Sequence, residues 1–324
     1  MNKIYLILII SLLTKFSFSQ QMPIFTNAFF SQQYNNPASM VINPYKRFSM
    51  NSSIAAAGFS DAPKSYLISY EHPFSFNKDE NLPSYQLGKN IDLNNQDKAF
   101  GSYLMYDTYG AINQISAMVS YAQRFIINRN TFIAFGLSTG IYSYGLDYSK
   151  LTIKEKNDET YSMFLNNNSN LIYWDANFGF LVKYKNYKQE LAIKQFIGDK
   201  AKLSSDDINA EIQISYYSNT SALFKINSDI NIIPSIEFYK TTTLPYQLNI
   251  KLPFIYKGKW IASANYQHNR NIGLGIGFIY NFLAINYSFQ YNTSQYSYIG
   301  NTNHELGIIM LLNTRRNIKF EEFF

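Results

Sequence analysis

The 324-residue sequence has no cysteine and only three histidines, which removes several kinds of functional site at the outset. Without cysteine there is neither a disulfide framework nor a thiolate metal site. His72, His268 and His304 lie far apart and lack the i, i+4 spacing of a helical metal site. The chain also lacks a G-x-S-x-G nucleophile motif. The sequence therefore predicts no catalytic residue, no metal site and no cofactor site.

Charge is scarce as well. Charged residues make up 15% of the chain, whereas a typical soluble domain has about 25%. The net charge is +6, but Lys and Arg are scattered, so the pattern does not favour nucleic-acid binding. After residue 19 there is no stretch of about 18 apolar residues, which excludes a membrane-spanning helix. Aromatic residues reach 17%, and an aromatic-rich, charge-poor chain of near-neutral mean hydropathy is typical of a transmembrane β-barrel.

The first 19 residues have the features of a secretory signal peptide. Asn2-Lys3 is a short basic start, and the apolar run that follows from residue 4 to residue 13 is too short to span a bilayer. Ser17-Phe18-Ser19 is a small-x-small cleavage site. We therefore expect export, with Gln20 as the first mature residue.

Alternation at every second position predicts strands in the remainder of the chain. In segment 113–127, Ile115 and Val119 share one face, whereas Ser116 and Ser120 share the other. Bulky residues on one face opposite small polar residues are typical of a barrel with lipid outside and a polar lumen. We predict an all-β fold, an antiparallel outer-membrane barrel of about fourteen strands: 48–58, 64–74, 98–107, 113–127, 130–147, 172–184, 188–197, 210–226, 230–242, 245–255, 258–268, 270–281, 283–292 and 303–313.

The predicted connections alternate in length. Short turns follow the even-numbered strands, and the longest loops, 148–171, 198–209 and 293–302, follow odd-numbered strands. Outer-membrane barrels have short periplasmic turns and longer outer loops, so we expect both termini in the periplasm. Residues 75–97 are the exception, because they form a long connection on the short-turn side. They are either a docking surface or a tolerated insertion.

The predicted barrel spans 46–313, with a periplasmic tail at 314–324 and a segment of different texture at 20–45. Aromatic residues such as Phe25 would gain nothing in a solvated tail. A barrel of about fourteen strands is also too wide for its own side chains to fill. We expect 20–45 to enter the lumen as a partial plug, with its aromatic residues against glycine-lined strands such as 270–281. The alternative is an arm that docks a periplasmic partner.

Some lumen-type positions leave other functions open. Three lysines would either tune a pore or pair with one of three carboxylates: Lys183, Lys194 and Lys251, with Asp175, Glu190 and Glu211. A barrel hydrolase would need Ser263 or Ser288 near His268 or His304, although polar lumen residues are the favoured interpretation.

Several short motifs recur in the order of a known family: Gln20-Gln21-Met22-Pro23-Ile24-Phe25 with Asn36-Pro37-Ala38; Asp61-Ala62-Pro63-Lys64-Ser65; Phe135-Gly136-Leu137-Ser138-Thr139-Gly140 followed by Leu146-Asp147-Tyr148; Ile233-Pro234-Ser235; Leu244-Pro245-Tyr246-Gln247; and His304-Glu305. In their order and spacing the chain resembles the PorP/SprF membrane proteins of the type IX secretion and gliding machinery of Bacteroidetes. It departs from the family where Asn303 replaces the usual Ser before His304.

The resemblance implies an outer-membrane barrel that works with a periplasmic ring and a translocon. It further implies an anchor or docking role for the C-terminal domain of a secreted adhesin, with the outer loops facing this cargo and lipid around the wall. The rival functions are a substrate-specific or passive outer-membrane channel and a barrel enzyme.

Overall fold

The computed structural model describes residues 25–42, 45–59, 61–74, 97–128, 130–147, 150, 171–198, 213–242, 244–293, 301–312, 319–320 and 324. Within them, three short helical turns precede sixteen strands. The helical turns are the 3-10 helices Ala28–Phe30 and Pro37–Val41 and the four-residue helix α1, Gln32–Asn35. No helix in this part of the chain has both the length and the apolarity to cross a membrane.

The strands are β1 Lys46–Ile54, β2 Lys64–Phe74, β3 Lys98–Tyr109, β4 Ile112–Asn128, β5 Thr131–Leu146, β6 Leu171–Tyr184, β7 Tyr187–Lys194, β8 Ser215–Ala222, β9 Phe224–Lys225, β10 Ile230–Ile232, β11 Ser235–Thr241, β12 Gln247–Tyr256, β13 Trp260–Gln267, β14 Asn271–Tyr280, β15 Leu283–Asn292 and β16 Thr302–Leu312. β8 and β9 continue one barrel strand, and β10 and β11 continue another. Pro234 separates β10 from β11, because proline has no N–H for the strand ladder.

The sheet closes into a ring of fourteen antiparallel strands. β1 pairs with β2 and also with β16, where Met50 lies opposite Ile308. At the other closure β11 pairs with β8 and with β12, so that Ile236 lies between Thr220 and Ile250. Each strand of the ring therefore has a partner on both sides. The fourteen-stranded barrel predicted from the alternation is confirmed.

The two faces of the wall follow the parity predicted from the sequence. The outward side chains of Val119, Leu274 and Ile276 are 61%, 68% and 68% exposed. The inward Ser116 and Ser120 are 1% and 4% exposed. An apolar exterior of this extent would be an aggregation hazard in water, but it matches the hydrocarbon of a bilayer.

The two ends of the barrel differ in their connections. One end, here called the short-turn end, carries the turns after β4, β6, β12 and β14, together with the start of β1 and the end of β16. In the turn after β12, Gly258 has φ +65, a conformation that glycine adopts without steric cost. The opposite end is called the long-loop end. Most residues of the loops 148–171, 198–209 and 293–302, of the connection 75–97 and of the predicted signal peptide lie outside the described residues.

Candidate functional site

Residues 25–42, here called the inner segment, lie inside the barrel. Phe25 and Thr26 are buried, and so is every residue from Phe30 to Ile42. The 3-10 helix Pro37–Val41 packs along β2 to β6, and Phe30 packs against side chains of β12 to β16 on the other side. The inner segment thus contacts two opposite sectors of the wall. It is the described part of the 20–45 segment.

Asn36 and Pro37 determine how the 3-10 helix of the inner segment begins. Asn36 caps the 3-10 helix, because its side-chain oxygen accepts a hydrogen bond from the Ala38 N–H at 2.9 Å. Pro37 takes the first position, where a missing N–H costs nothing. The Asn36 side chain also donates through Nδ2 to the carbonyl oxygen of Phe180 in β6, at 3.0 Å. One asparagine therefore shapes the turn and ties it to the wall.

A buried carboxylate holds the start of the inner segment on the β12–β16 side. Glu305 of β16 is 2% exposed. Its Oε2 accepts from the Thr26 N–H at 2.7 Å, and its Oε1 accepts from the Asn27 N–H at 3.0 Å. The Gln290 side chain of β15 donates to the Thr26 hydroxyl. Lys251 Nζ of β12 approaches the carbonyl oxygen of Phe25 at 3.5 Å.

A buried arginine on the neighbouring strand β1 holds the middle of the inner segment. Arg47 of β1, 1% exposed, donates from Nη1 to the side-chain oxygen of Gln32 at 2.7 Å and forms an ion pair with Glu71 of β2. The Gln33 amide donates to the hydroxyl of Ser120 in β4 at 3.1 Å. Removing one partner of a buried charge pair leaves the other uncompensated, which makes this anchor costly to break.

Glycines give the inner segment room against the wall. A Cβ at Gly136 of β5 would overlap the backbone of Pro37 and Ala38, and a Cβ at Gly307 of β16 would lie 2.6 Å from the Phe30 ring. Strand 270–281, given as an example of a glycine-lined strand, meets Phe30 through Ile279 and not through its glycines. At Gly273 the nearest atoms belong to side chains and backbone of neighbouring strands, because the cross-strand residues there are large enough to fill the space.

Aromatic side chains fill the long-loop half of the lumen. The Phe25 ring meets the Tyr34 ring edge-on at 6.0 Å, and Tyr34 meets Tyr103 of β3 edge-on at 5.6 Å. Tyr142 and Tyr173 stack at 5.3 Å on the adjacent wall. Edge-to-face and offset-stacked pairs are the favoured arrangements of aromatic rings, and each adds about 0.5–1.5 kcal/mol beyond its buried area.

The three lysines predicted to face the lumen do so, and Lys251 has a partner that the sequence did not indicate. Lys251 pairs with Glu237 of β11 at 2.8 Å. Lys194 lies over the Tyr34 ring at 3.7 Å, and Lys183 lies over the Phe324 ring at 4.9 Å. These three contacts depend on the closed barrel, because each lysine meets a side chain on an adjacent strand or across the lumen.

The remaining predicted carboxylates also have other roles. Glu190 pairs with Lys188 of its own strand at 3.3 Å. Asp175 accepts from the backbone N–H of Ala176 and Ile197, at 2.6 and 3.1 Å. Glu211 lies outside the described residues.

Some buried charged residues of the lumen, such as Arg47, Glu71 and Glu237, were not singled out from the sequence, and Glu305 was named there only as part of a family motif. Each lies on the inward parity of its strand. In a chain with so few charges, inward parity is the signal that identifies them.

A cavity remains beside the inner segment, toward β7, β8 and β11–β15. Its volume is about 50 Å³. Polar residues of the wall, such as Asn219 and Asn265, form one part of its lining, and the apolar Phe29, Ile261 and Phe324 form another. The lumen is therefore filled on the β2–β6 side and keeps a small cavity on the other.

The candidate hydrolase residues lie on opposite faces of the wall. Ser288 lines the cavity, whereas His304 lies on the outward face, with its Nδ1 2.6 Å from the Tyr287 hydroxyl. Register explains this separation, because Ser288 lies opposite Glu305 and His304 lies opposite Phe289. Ser263 likewise lines the cavity, whereas His268 stacks outside on Tyr246. Among the described residues no group of three or more acidic or histidine side chains could hold a metal ion.

Comparison with known proteins agrees with this architecture. The chain is similar over residues 17–310 to the family described as type IX secretion system membrane protein PorP/SprF. No curated protein sequence matches the chain at a significant level.

Solved barrels share the fold at low identity. The CymD monoaromatic hydrocarbon channel has a TM-score of 0.52 and 8% identity, with 89% of this chain and 94% of that chain covered. A FadL homologue from Pseudomonas aeruginosa has a TM-score of 0.48 and 10% identity, with 87% and 94% covered. The Pseudomonas putida toluene transporter TodX has a TM-score of 0.49 and 9% identity, with 89% and 93% covered.

A family match over most of the chain and a closed barrel with an apolar exterior lead to the same assignment. This chain belongs to the PorP/SprF family of type IX secretion system membrane proteins, and its fold is that of an outer-membrane β-barrel.

Proposed function

We propose that this barrel is a closed docking component of the type IX machinery, acting as a cargo-specific anchor for secreted surface adhesins. The observation that carries the proposal is the inner segment, which occupies the lumen and is bonded to the wall through Glu305 of β16 and Arg47 of β1. A further bond, from Asn36 to the Phe180 carbonyl of β6, ties it to the other side of the lumen. Passage of a secreted chain through this lumen would require both buried anchors to break. A barrel filled in this way is suited to be a platform rather than a conduit.

The two ends of the barrel suggest where partners bind. Short turns are periplasmic in outer-membrane barrels, so the short-turn end faces the periplasmic ring. The loops 148–171, 198–209 and 293–302 then face outward, where the C-terminal domain of an adhesin and the translocon would be met. The connection 75–97 emerges on the periplasmic side. Its last residue, Asp97, is fixed by an ion pair with Arg124 and accepts from the Arg124 backbone N–H at 2.8 Å.

A non-catalytic role fits the site chemistry. Ser288 and Ser263 face the cavity, whereas His304 and His268 face outward, so neither serine has a histidine positioned as its base. A docking protein of the outer membrane needs export, which the predicted signal peptide at 1–19 would provide, a wall that contacts lipid, and surfaces that bind partners. It needs no catalytic residues.

Deletion of the gene tests the proposal. We expect the loss of surface display of one or a few large secreted proteins, while bulk type IX secretion continues. Complementation with the wild-type gene should restore display. Complementation with a variant whose residues 152–168 are replaced by a Gly-Ser linker of equal length should not, although the barrel reaches the same level in the membrane. Normal display of every secreted protein in a clean deletion would contradict the proposal.

A second candidate function is a channel for small solutes, and the cavity beside the inner segment, lined by both polar and apolar residues, is the observation that favours it. The fold similarity to the CymD monoaromatic hydrocarbon channel, at a TM-score of 0.52, is consistent with this function. Planar bilayers discriminate between the two functions. A docking barrel should show no steady conductance as the wild-type protein, whereas a channel should conduct or pass a specific solute.

A further inference from the structure

A second piece of chain lies in the short-turn mouth, in addition to the inner segment. Of residues 319–324, here called the mouth segment, Lys319, Phe320 and Phe324 are described. The Phe320 N–H donates to the Gly258 carbonyl oxygen in the turn after β12, at 3.1 Å. The side chains of Phe320 and Phe324 are 0% and 1% exposed. Phe320 and Phe324 are therefore buried inside this end of the barrel.

Each of the two phenylalanines has its own set of contacts. The Phe320 ring meets the Phe29 ring of the inner segment at 6.2 Å, edge-on. The Phe324 ring has Lys183 Nζ at 4.9 Å and Lys188 Nζ at 5.3 Å from its centroid. Those lysines lie opposite each other on β6 and β7. Ammonium groups over an aromatic face are attractive, and more so where water is excluded.

Phe324 also forms part of the cavity lining, and that lining has unused hydrogen-bonding capacity. Three buried polar atoms there have no hydrogen-bond partner among the described residues: Asn219 Oδ1, Ser221 Oγ and Asn265 Nδ2. Their side chains are 4%, 5% and 8% exposed. Unpaired buried donors and acceptors are costly, and a ligand that carries both kinds of group would satisfy them. Peptide amides carry one of each.

We propose that the short-turn mouth and the adjoining cavity form a binding site for a peptide segment with two aromatic residues four positions apart and acidic residues between them. In this structure Phe320 and Phe324 of the same chain, from the sequence Lys-Phe-Glu-Glu-Phe-Phe, occupy that site. Lys183, Lys185 and Lys188 lie near this mouth on β6, its turn and β7, and their positive charge favours a peptide that carries acidic residues. A partner segment of the same chemistry exchanges with the resident one. This site lies at the short-turn end, and a peptide-binding site there is an addition to the docking role proposed above.

Fluorescence anisotropy on the purified full-length protein in detergent tests the proposal. The probe is a fluorescein-labelled hexapeptide, KFEEFF, and the control peptide is KAEEAA. The double variant Phe320→Ala with Phe324→Ala weakens the resident segment, so it should bind KFEEFF at least about tenfold more tightly than the wild type. KAEEAA should bind neither protein. Adding Lys183→Met to the double variant should weaken KFEEFF binding, because the aromatic ring loses an ammonium partner.

Equal KFEEFF binding by the wild type and a folded double variant would overturn the proposal, and so would equal binding of the two peptides. If the double variant does not fold, a second test uses the otherwise wild-type protein. A benzoylphenylalanine at position 324 should crosslink to β6 or β7, and excess free KFEEFF should suppress that crosslink. An undiminished crosslink at saturating peptide would show that the segment does not exchange.

Discussion

Replacing Glu305 with alanine is the sharpest perturbation of the inner segment. The Glu305 carboxylate is buried and accepts the backbone N–H groups of Thr26 and Asn27 at 2.7 and 3.0 Å. Alanine removes both acceptors at once. No other wall residue of the described structure takes two backbone donors of the inner segment through its side chain.

The size of the effect follows from these two bonds. A hydrogen bond to a charged group contributes about 1.5–3 kcal/mol, so two give an upper range of about 3–6 kcal/mol. Two effects reduce this value. Thr26 and Asn27 line the cavity, where water can replace part of what is lost, and the variant no longer buries a carboxylate. We expect docking of the inner segment to weaken by about 2–4 kcal/mol, which corresponds to about 30- to 700-fold more opening.

Hydrogen exchange measured by mass spectrometry is the appropriate assay, because local opening controls the exchange of buried amides. Peptides covering 25–42 should exchange faster in Glu305→Ala by that factor, while peptides covering β4 should be unchanged. Leu306→Ala is the matched control, since Leu306 is the next residue on β16 but faces outward and is 44% exposed. Unchanged exchange over 25–42 in a folded Glu305→Ala protein would refute the anchoring argument.

Three other predictions concern the wall, the orientation and the lumen. Leu274→Arg should lower the free energy of unfolding by roughly 2–4 kcal/mol if the site lies near the bilayer midplane, and Ser288→Arg should lower it less. Urea unfolding in lipid vesicles measures both values, and equal losses would mean that the faces are misassigned. An epitope inserted near Asn167 should be accessible to antibody on intact cells, and an epitope that stays hidden would reverse the topology. Deleting residues 24–44 while keeping the signal peptide should raise the single-channel conductance and lower the melting temperature. If both stay at their wild-type values while secretion fails, the segment is a docking arm.

Local alternation was sufficient to predict the barrel. A strand that is lipid-facing on one side and lumen-facing on the other has a side-chain period of two, and the sequence around Ile115 and Ser116 shows that period directly. The fourteen predicted strands recur in the structure, with interruptions at Leu223 and Pro234 that alternation alone does not indicate. Turn lengths separated the two ends of the barrel for the same local reason.

The lumen contacts could not be predicted in this way because they are non-local. Glu305 and Thr26 are 279 positions apart in the chain, and Lys251 finds Glu237 only because β11 and β12 pair in one register. The contact of Phe324 with Lys183 and Lys188 joins two distant parts of the chain, the end of the sequence and the β6–β7 hairpin. Sequence parity indicates which charges point inward, but the partner of each charge is a property of the closed barrel.

Crosslinking followed by pull-down from native membranes tests the central claim most directly. The tagged protein, with photo-crosslinkers in 148–171 and in 75–97, is recovered and its adducts are identified by mass spectrometry. The docking account predicts a secreted adhesin on the outer loop and a periplasmic component of the type IX machinery on the other connection. Recovery of the barrel at its native level with neither adduct, together with steady conductance of the purified wild-type protein, would contradict the account and favour a channel.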